Sequence, residues 1–186
     1  NIYCLRVVPF TKQIYIAMQQ ATVASKLHRL DDALSYLKTV KSLIREKRAL
    51  LDYEVLYGQV MLENGFPEKA KAHFETAFSK CEDSEKTALV IGIAYYEHEY
   101  YQDAANILSR LAEIPDSITT NFALPYLALC YRHLEDRELY LKYLLLATKN
   151  CTDLTAQLFE EYFPGVKAED LYFYAFKDAY GYFPKE

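Results

Sequence analysis

Apolar residues recur at three- and four-residue steps along most of the chain, the spacing that gathers them on one helix face. From Phe10 to about His28 the stripe is Ile14, Ala17, Met18, Ala21 and Ala24. A second helix carries Ala33, Leu34, Leu37, Val40, Leu43 and Ile44, with Asp31 or Asp32 as the expected cap. A third covers roughly 49–63 and ends at Asn64-Gly65, where glycine suits a left-handed turn. Pro67 opens a fourth, because its missing N–H costs nothing in a first turn; Ala70, Phe74, Ala77 and Phe78 face inward. A fifth, capped by Asp83 or Ser84, reaches Tyr95 and Tyr96. A sixth runs from about 101 to 112, with Pro115 beyond it. A seventh covers 117–133 with Pro125 inside, which predicts a kink or a later start. An eighth spans about 136–149.

The two ends read differently. The first eight residues are apolar and stop at Pro9, as a strand-like tail or the remnant of an upstream element. Past Thr152 one short helix holds Leu154, Leu158 and Phe159. Pro164-Gly165 breaks it, and an aromatic helix follows over about 169–182. No strand-period alternation or low-complexity tract interrupts the series. The predicted fold is all-α, in antiparallel helix pairs joined by short turns.

Within the series one pattern is written twice. Tyr57-Gly58, Met61, Ala70, Phe74 and Ala77 return 34 residues later as Ile91-Gly92, Tyr95, Ala104, Leu108 and Leu111. A fixed period of this size marks a repeat architecture. The residues resemble the tetratricopeptide repeat, a helix–turn–helix unit whose small residues sit where two helices cross and whose large ones fill the spaces between. A fourth copy fits after a two-residue insertion near Ser117, with Leu124, Leu127-Ala128, Tyr131, Leu144 and Ala147. It departs from the pattern at Tyr140, where a small residue is expected. The first copy is weaker: Ala21 and Ala24 lead to Ala33, Leu37 and Val40, Gln20 replaces the large apolar residue, and Ala33 to Ala70 is 37 residues.

The resemblance implies a right-handed α-solenoid, a TPR-like superhelix occupying 1–186 as a single domain. Its repeats would be approximately 14–48, 51–84, 85–118 and 121–153, with a C-terminal aromatic cap over 154–186. In such proteins the first helix of each repeat lines a concave face that binds a segment of another protein. The residues this implies are Tyr15, Met18 and Thr22; Asp52, Val55, Gln59 and Leu62; Lys86, Leu89, Ile93 and Tyr96; and Phe122, Pro125, Leu129 and Arg132. Only Lys86 and Arg132 are cationic, so the clamp by which some relatives of this type grip a C-terminal carboxylate is not expected. An apolar lining suits an amphipathic helix or a hydrophobic peptide.

Composition narrows the alternatives. The 186 residues are 52% hydrophobic, enough for a sizeable core, with 18 Tyr, 10 Phe and no Trp. A formal charge of −5 argues against nucleic acid, which needs clustered Lys and Arg to displace counterions. No apolar run approaches the length of a membrane span. Cys4, Cys81, Cys130 and Cys151 form no CxxC pair and read as reduced thiols. Cys130 and His133 are three apart on one helix, without the second pair a metal site needs. No zinc-protease helix, phosphate loop or nucleophile elbow is present. No cofactor, metal or catalytic residue is expected.

Ten aromatics fall between Phe159 and Phe183, in stripes Tyr172, Phe176, Tyr180 and Leu171, Ala175, Ala179, Phe183. They are expected to cap the last repeat. Tyr172, Tyr174 and Tyr182 on the remaining face would extend recognition or join a second copy. The functional expectation is a non-catalytic interaction module, cytoplasmic, binding a protein or peptide partner as adaptor, scaffold or chaperone. The alternative is a regulatory or sensing domain of a larger transcriptional or signalling protein.

Overall fold

The computed structural model describes residues 2–115 and 117–185, with side chains from residue 12 onward. Among the described residues there are ten α-helices and no strand. They are α1 (Ile2–Lys26), α2 (Leu30–Leu43), α3 (Lys47–Glu63), α4 (Pro67–Lys80), α5 (Ser84–Glu97), α6 (Tyr101–Ala112), α7 (Ile118–His133), α8 (Arg137–Asn150), α9 (Thr152–Phe159) and α10 (Leu171–Tyr180). The chain forms two compact units, Asn1–Thr87 and Ala88–Glu186.

The pairing of helices follows from a turn used four times. In the first unit His28 (φ 55°) and Gly65 (φ 80°) take the left-handed conformation; in the second Glu99 (φ 67°) and Glu135 (φ 61°) do so. Each donates its N–H three residues back: His28 to Ser25, Gly65 to Leu62, Glu99 to Tyr96, Glu135 to Arg132. The next residue donates five back: Arg29 to Ala24, Phe66 to Met61, Tyr100 to Tyr95, Asp136 to Tyr131. This is the Schellman closure, which satisfies the last carbonyls of one helix and turns the chain into the next. The four left-handed residues are 37, 34 and 36 apart, the intervals carried by the apolar pattern. Three are not glycine and accept the strain of a left-handed side chain.

The first unit packs α1 on α2 and α3 on α4, with α3 also touching α1 and α2. Where α3 crosses α4, a Cβ on Gly58 would strike the Phe74 ring. The second unit repeats this where α5 crosses α6: a Cβ on Gly92 would lie 2.5 Å from Leu108 Cδ2. Here α6 and α8 both pack on α7. Thr120 Oγ1 donates to the Leu111 and Ile114 carbonyls at 2.7 and 2.8 Å, tying the start of α7 to the end of α6.

Several ends differ from expectation. The backbone of residues 2–8 is helical and continuous with α1 through Pro9, rather than a strand-like tail. A proline there removes one intrahelical hydrogen bond without obliging the helix to stop. Asp31 and Asp32 lie in the first turn of α2 and do not cap it; the capping position is Arg29, without a side-chain bond. Their charge still suits the helix N-terminus. Asp83 does cap α5, accepting from Lys86 N at 3.0 Å, and Asp136 caps α8, accepting from Leu139 N at 3.0 Å. Pro125 lies inside a continuous α7 and is buried. The last helix ends at Tyr180, where Gly181 (φ 82°) closes it.

The C-terminal segment packs on the fourth helix pair through α8–α9, α7–α9 and α8–α10 contacts. Phe159, Leu171 and Ala175 join Ala128, Leu129, Tyr140, Leu141 and Leu144 in one core. Tyr140 N donates to Asp136 O, as Ala104 N does to Tyr100 O. Tyr140 therefore stands where the earlier pairs have alanine, and its ring fits because Phe159 stacks on it at 6.4 Å and 6°. The departure from the repeat is made possible by the segment that follows it.

Candidate interaction surface

In the first unit the candidate residues lie on α1, α3 and the first turn of α5. Tyr15 is 61% exposed, Met18 is half-buried, and the Thr22 hydroxyl donates to the Met18 carbonyl at 3.0 Å. On α3, Asp52 is exposed and Val55 and Gln59 are half-buried. Leu62, at 3% exposure, is a packing residue with no surface to offer. Lys86 is exposed.

In the second unit Leu89, Ile93 and Tyr96 stand at steps of four and three on α5, all half-buried. Tyr96 meets Tyr126 of α7 edge-on at 5.4 Å, so these helices lie side by side there. Phe122 is 42% exposed, whereas Pro125 and Leu129 are buried, Leu129 at 0%. Leu129 thus belongs to the core rather than to a lining. Arg132 is half-buried. Helical phase explains Leu62, which follows the half-buried Gln59 by three residues but has rotated to the packed side; Leu129 follows Pro125, itself buried, by four and shares its packed face.

The structure adds residues that the repeat pattern did not select. His133 stacks on Tyr101 at 4.0 Å and 1°, and its Nε2 lies 3.2 Å from the Tyr162 hydroxyl. The Arg132 guanidinium sits 4.1 Å from the centre of the Tyr162 ring, a cation–π distance. Tyr96, Tyr101 and Tyr126 all have their phenols pushed above the ordinary value, burial first among the causes. Burial, helped by Arg132, pushes His133 below its usual value. Near neutral pH this group is therefore a set of uncharged rings that donate and accept hydrogen bonds. Its sequence signal was weak, because Tyr101, Tyr126 and Tyr162 hold no repeat position.

A second polar feature lies in the first unit. Glu54, 8% exposed, holds His73 Nδ1 at 2.7 Å and approaches Lys80 Nζ at 3.7 Å. Tyr57 stacks on His73 at 3.8 Å. The residue 34 later is Ala88, so the carboxylate marks where the second repeat departs from its neighbour. Cys130 is fully buried, and His133, one turn on, stacks on Tyr101. Among the described residues no three His, Cys, Asp or Glu side chains gather to hold a metal. No described helix is long and apolar enough to cross a membrane.

The geometry defines a tetratricopeptide-like helical-repeat fold, with recurring Schellman turns and glycine crossings. No family model matches the chain, and no curated protein matches it. Among solved structures, "MamA MSR-1 C2" aligns at 17% identity over 90% of this chain and 94% of its own, with a TM-score of 0.48. A mutant form of MamA aligns at 16% identity over 91% and 98%, with a TM-score of 0.47.

Proposed function

We propose that the chain is a non-catalytic protein-interaction module that binds a peptide or amphipathic helix of a partner along its first-helix faces, as adaptor, scaffold or chaperone. The observation that carries this reading is the Leu89–Ile93–Tyr96 row on α5, half-buried beside Tyr126 of α7. Partly exposed apolar side chains at steps of four and three match the anchor spacing of an amphipathic helix laid against them. Phe122, 42% exposed on α7, widens the same apolar surface, and the neutral hydroxyls of Tyr96 and Tyr126 give it polar edges. Such a surface binds by apolar burial with a few hydrogen bonds to fix orientation. A net charge of −5 favours partners that are neutral or basic over nucleic acid.

The test is titration of a panel of amphipathic helical peptides into the wild type and the Leu89→Glu/Ile93→Glu variant. The variant is expected to lose affinity by about tenfold or more, since two desolvated carboxylates oppose burial. Its helical circular dichroism and melting should hold. Indistinguishable affinities would remove the α5 face from the binding surface.

A further inference from the structure

The first helix pair has one side covered and one side bare. Ala17, Ala21 and Ala24 of α1 are buried, and α3 packs on both α1 and α2. Away from these contacts α1 carries a second apolar stripe, Ile16, Val23 and Leu27, all of them exposed. Steps of seven and four keep the three on one face, and the same face holds Lys12 and Lys26. An open groove of about 310 Å³ lies beside the stripe. Ile16, Gln20 and Val23 of α1 line it with Tyr36 of α2, and Arg29 stands at the turn between the helices.

Single exposed apolar side chains are ordinary on a surface, but a stripe of them along a groove marks a place where something docks. In helical repeats an apolar outer face is where a further helix stacks, as α3 does on the covered side. The spacing suits a helix as well, because the ridge of one helix seats in the groove between two others through anchors three and four residues apart.

The charges say which helix. α1 contains no Asp or Glu. Lys12, Lys26 and Arg29 face one carboxylate, Asp32, which lies 3.6 Å from Arg29 Nε. Asp31 is about 100° further round α2. A chain of net charge −5 therefore presents a basic face here. A second copy would meet its own charge. Laid antiparallel with Ile16 against Val23, α1 brings Lys12 next to Lys26 of the other copy; laid parallel, it sets each lysine beside itself. We propose that this groove binds an amphipathic helix of a partner protein whose apolar stripe is flanked by Asp or Glu. The site is a different face of α1 from the one bearing Met18 and Thr22, and it is independent of the α5 surface proposed above.

The experiment is an amide chemical-shift titration of the full chain with three helical peptides. Two carry leucine at steps of three and four, flanked by glutamate in one and by lysine in the other; the third has serine in place of leucine. Saturable shifts over 12–43 are expected with the glutamate peptide, about three- to tenfold weaker binding with the lysine peptide, and none with the serine peptide. Ile16→Ser/Val23→Ser alters only exposed side chains, so it should melt like the wild type and bind about tenfold or more weakly. Lys12→Glu/Lys26→Glu should reverse the preference between the two charged peptides. Leu89→Glu/Ile93→Glu should bind the glutamate peptide as the wild type does, which separates the two surfaces. Equal affinity for the two charged peptides, binding of the serine peptide, shifts that fall on 86–96 instead, or undiminished binding by the folded Ile16→Ser/Val23→Ser protein overturns the proposal. The absence of any saturable shift overturns it too. So does a dimer in sedimentation equilibrium that Ile16→Ser/Val23→Ser abolishes, because a second copy is then the occupant.

Discussion

The ring of Phe74 packs directly onto Gly58, leaving no room for a Cβ, and Leu108 closes on Gly92 at the same sixteen-residue separation. Alanine favours a helix interior over glycine by about 1 kcal/mol, while overpacking a fixed core costs about 1–3 kcal/mol. Phe74 is 2% exposed and has nowhere to go. Gly58→Ala is therefore expected to lower stability by about 1 kcal/mol net in chemical denaturation. Phe74→Leu made in the Gly58→Ala background should cost less than Phe74→Leu alone. A stabilised Gly58→Ala protein would mean that the crossing is looser than described.

Much of this scaffold was legible in the chain. The 34-residue interval between Gly58 and Gly92 forecast two identical crossings, and the turns at Gly65, Glu99 and Glu135 keep the same phase. Gly65 announced its turn through its identity; His28, Glu99 and Glu135 did not, since long-range packing imposes a left-handed conformation that local preference opposes. The same limit hid α1's passage through Pro9. The surface was less legible than the scaffold. A shift of one or two residues in helical phase decides whether Leu62 or Val55 meets solvent, and no apolar count resolves that. The Glu54–His73 and Tyr101–His133 contacts lay off the repeat pattern, so nothing in their spacing joined them.

Cysteine chemistry gives a second prediction. Cys130 is fully buried on α7, and burial pushes its thiol up to about 12. The thiolate is the reactive form, so Cys130 should resist labelling in the native protein. Cys81 and Cys151 are half-buried, free thiols. Iodoacetamide labelling followed by peptide mapping should modify these two well before Cys130, with the difference vanishing in denaturant. Native labelling of Cys130 at a rate matching Cys81 would contradict the packing of α7.

His133 gives a third. Its pKa is lowered in the folded protein, by burial and then by Arg132, relative to an unfolded value near 6.5. The unfolded chain then binds more protons, so stability rises with pH across the interval between the two values. The contribution is fully present above about 6.5 and is lost as pH falls toward the folded value. More than a third of the side chain is exposed, so solvent moderates the effect. Between pH 7.5 and 5.5 the melting temperature should fall further in the wild type than in His133→Gln. Parallel curves would show that burial beside Arg132 does not favour the neutral ring.

The last prediction concerns the C-terminal segment, whose two faces should behave oppositely. Phe159 is 0% exposed, stacks on Tyr140 and shares a core with Leu144, Leu171 and Ala175. Phe159→Ala removes a buried ring that its neighbours cannot replace, with an expected loss of about 3–5 kcal/mol. That is a large part of the 5–15 kcal/mol typical of a domain, so the variant should be poorly soluble or melt far earlier. Tyr174 is 44% exposed, with the Phe183 ring edge-on at 5.9 Å, so Tyr174→Ala should change stability by less than about 0.5 kcal/mol. Deletion of 168–186 is a harsher form of the first change, because it strips Leu171 and Ala175 from the core around α8. If that truncated protein stays soluble, melts like the wild type and loses only a partner, the segment is a recognition element and not a cap. If it aggregates while Tyr174→Ala does not, the buried stripe holds the fourth helix pair together and the exposed rings are free to contact something else.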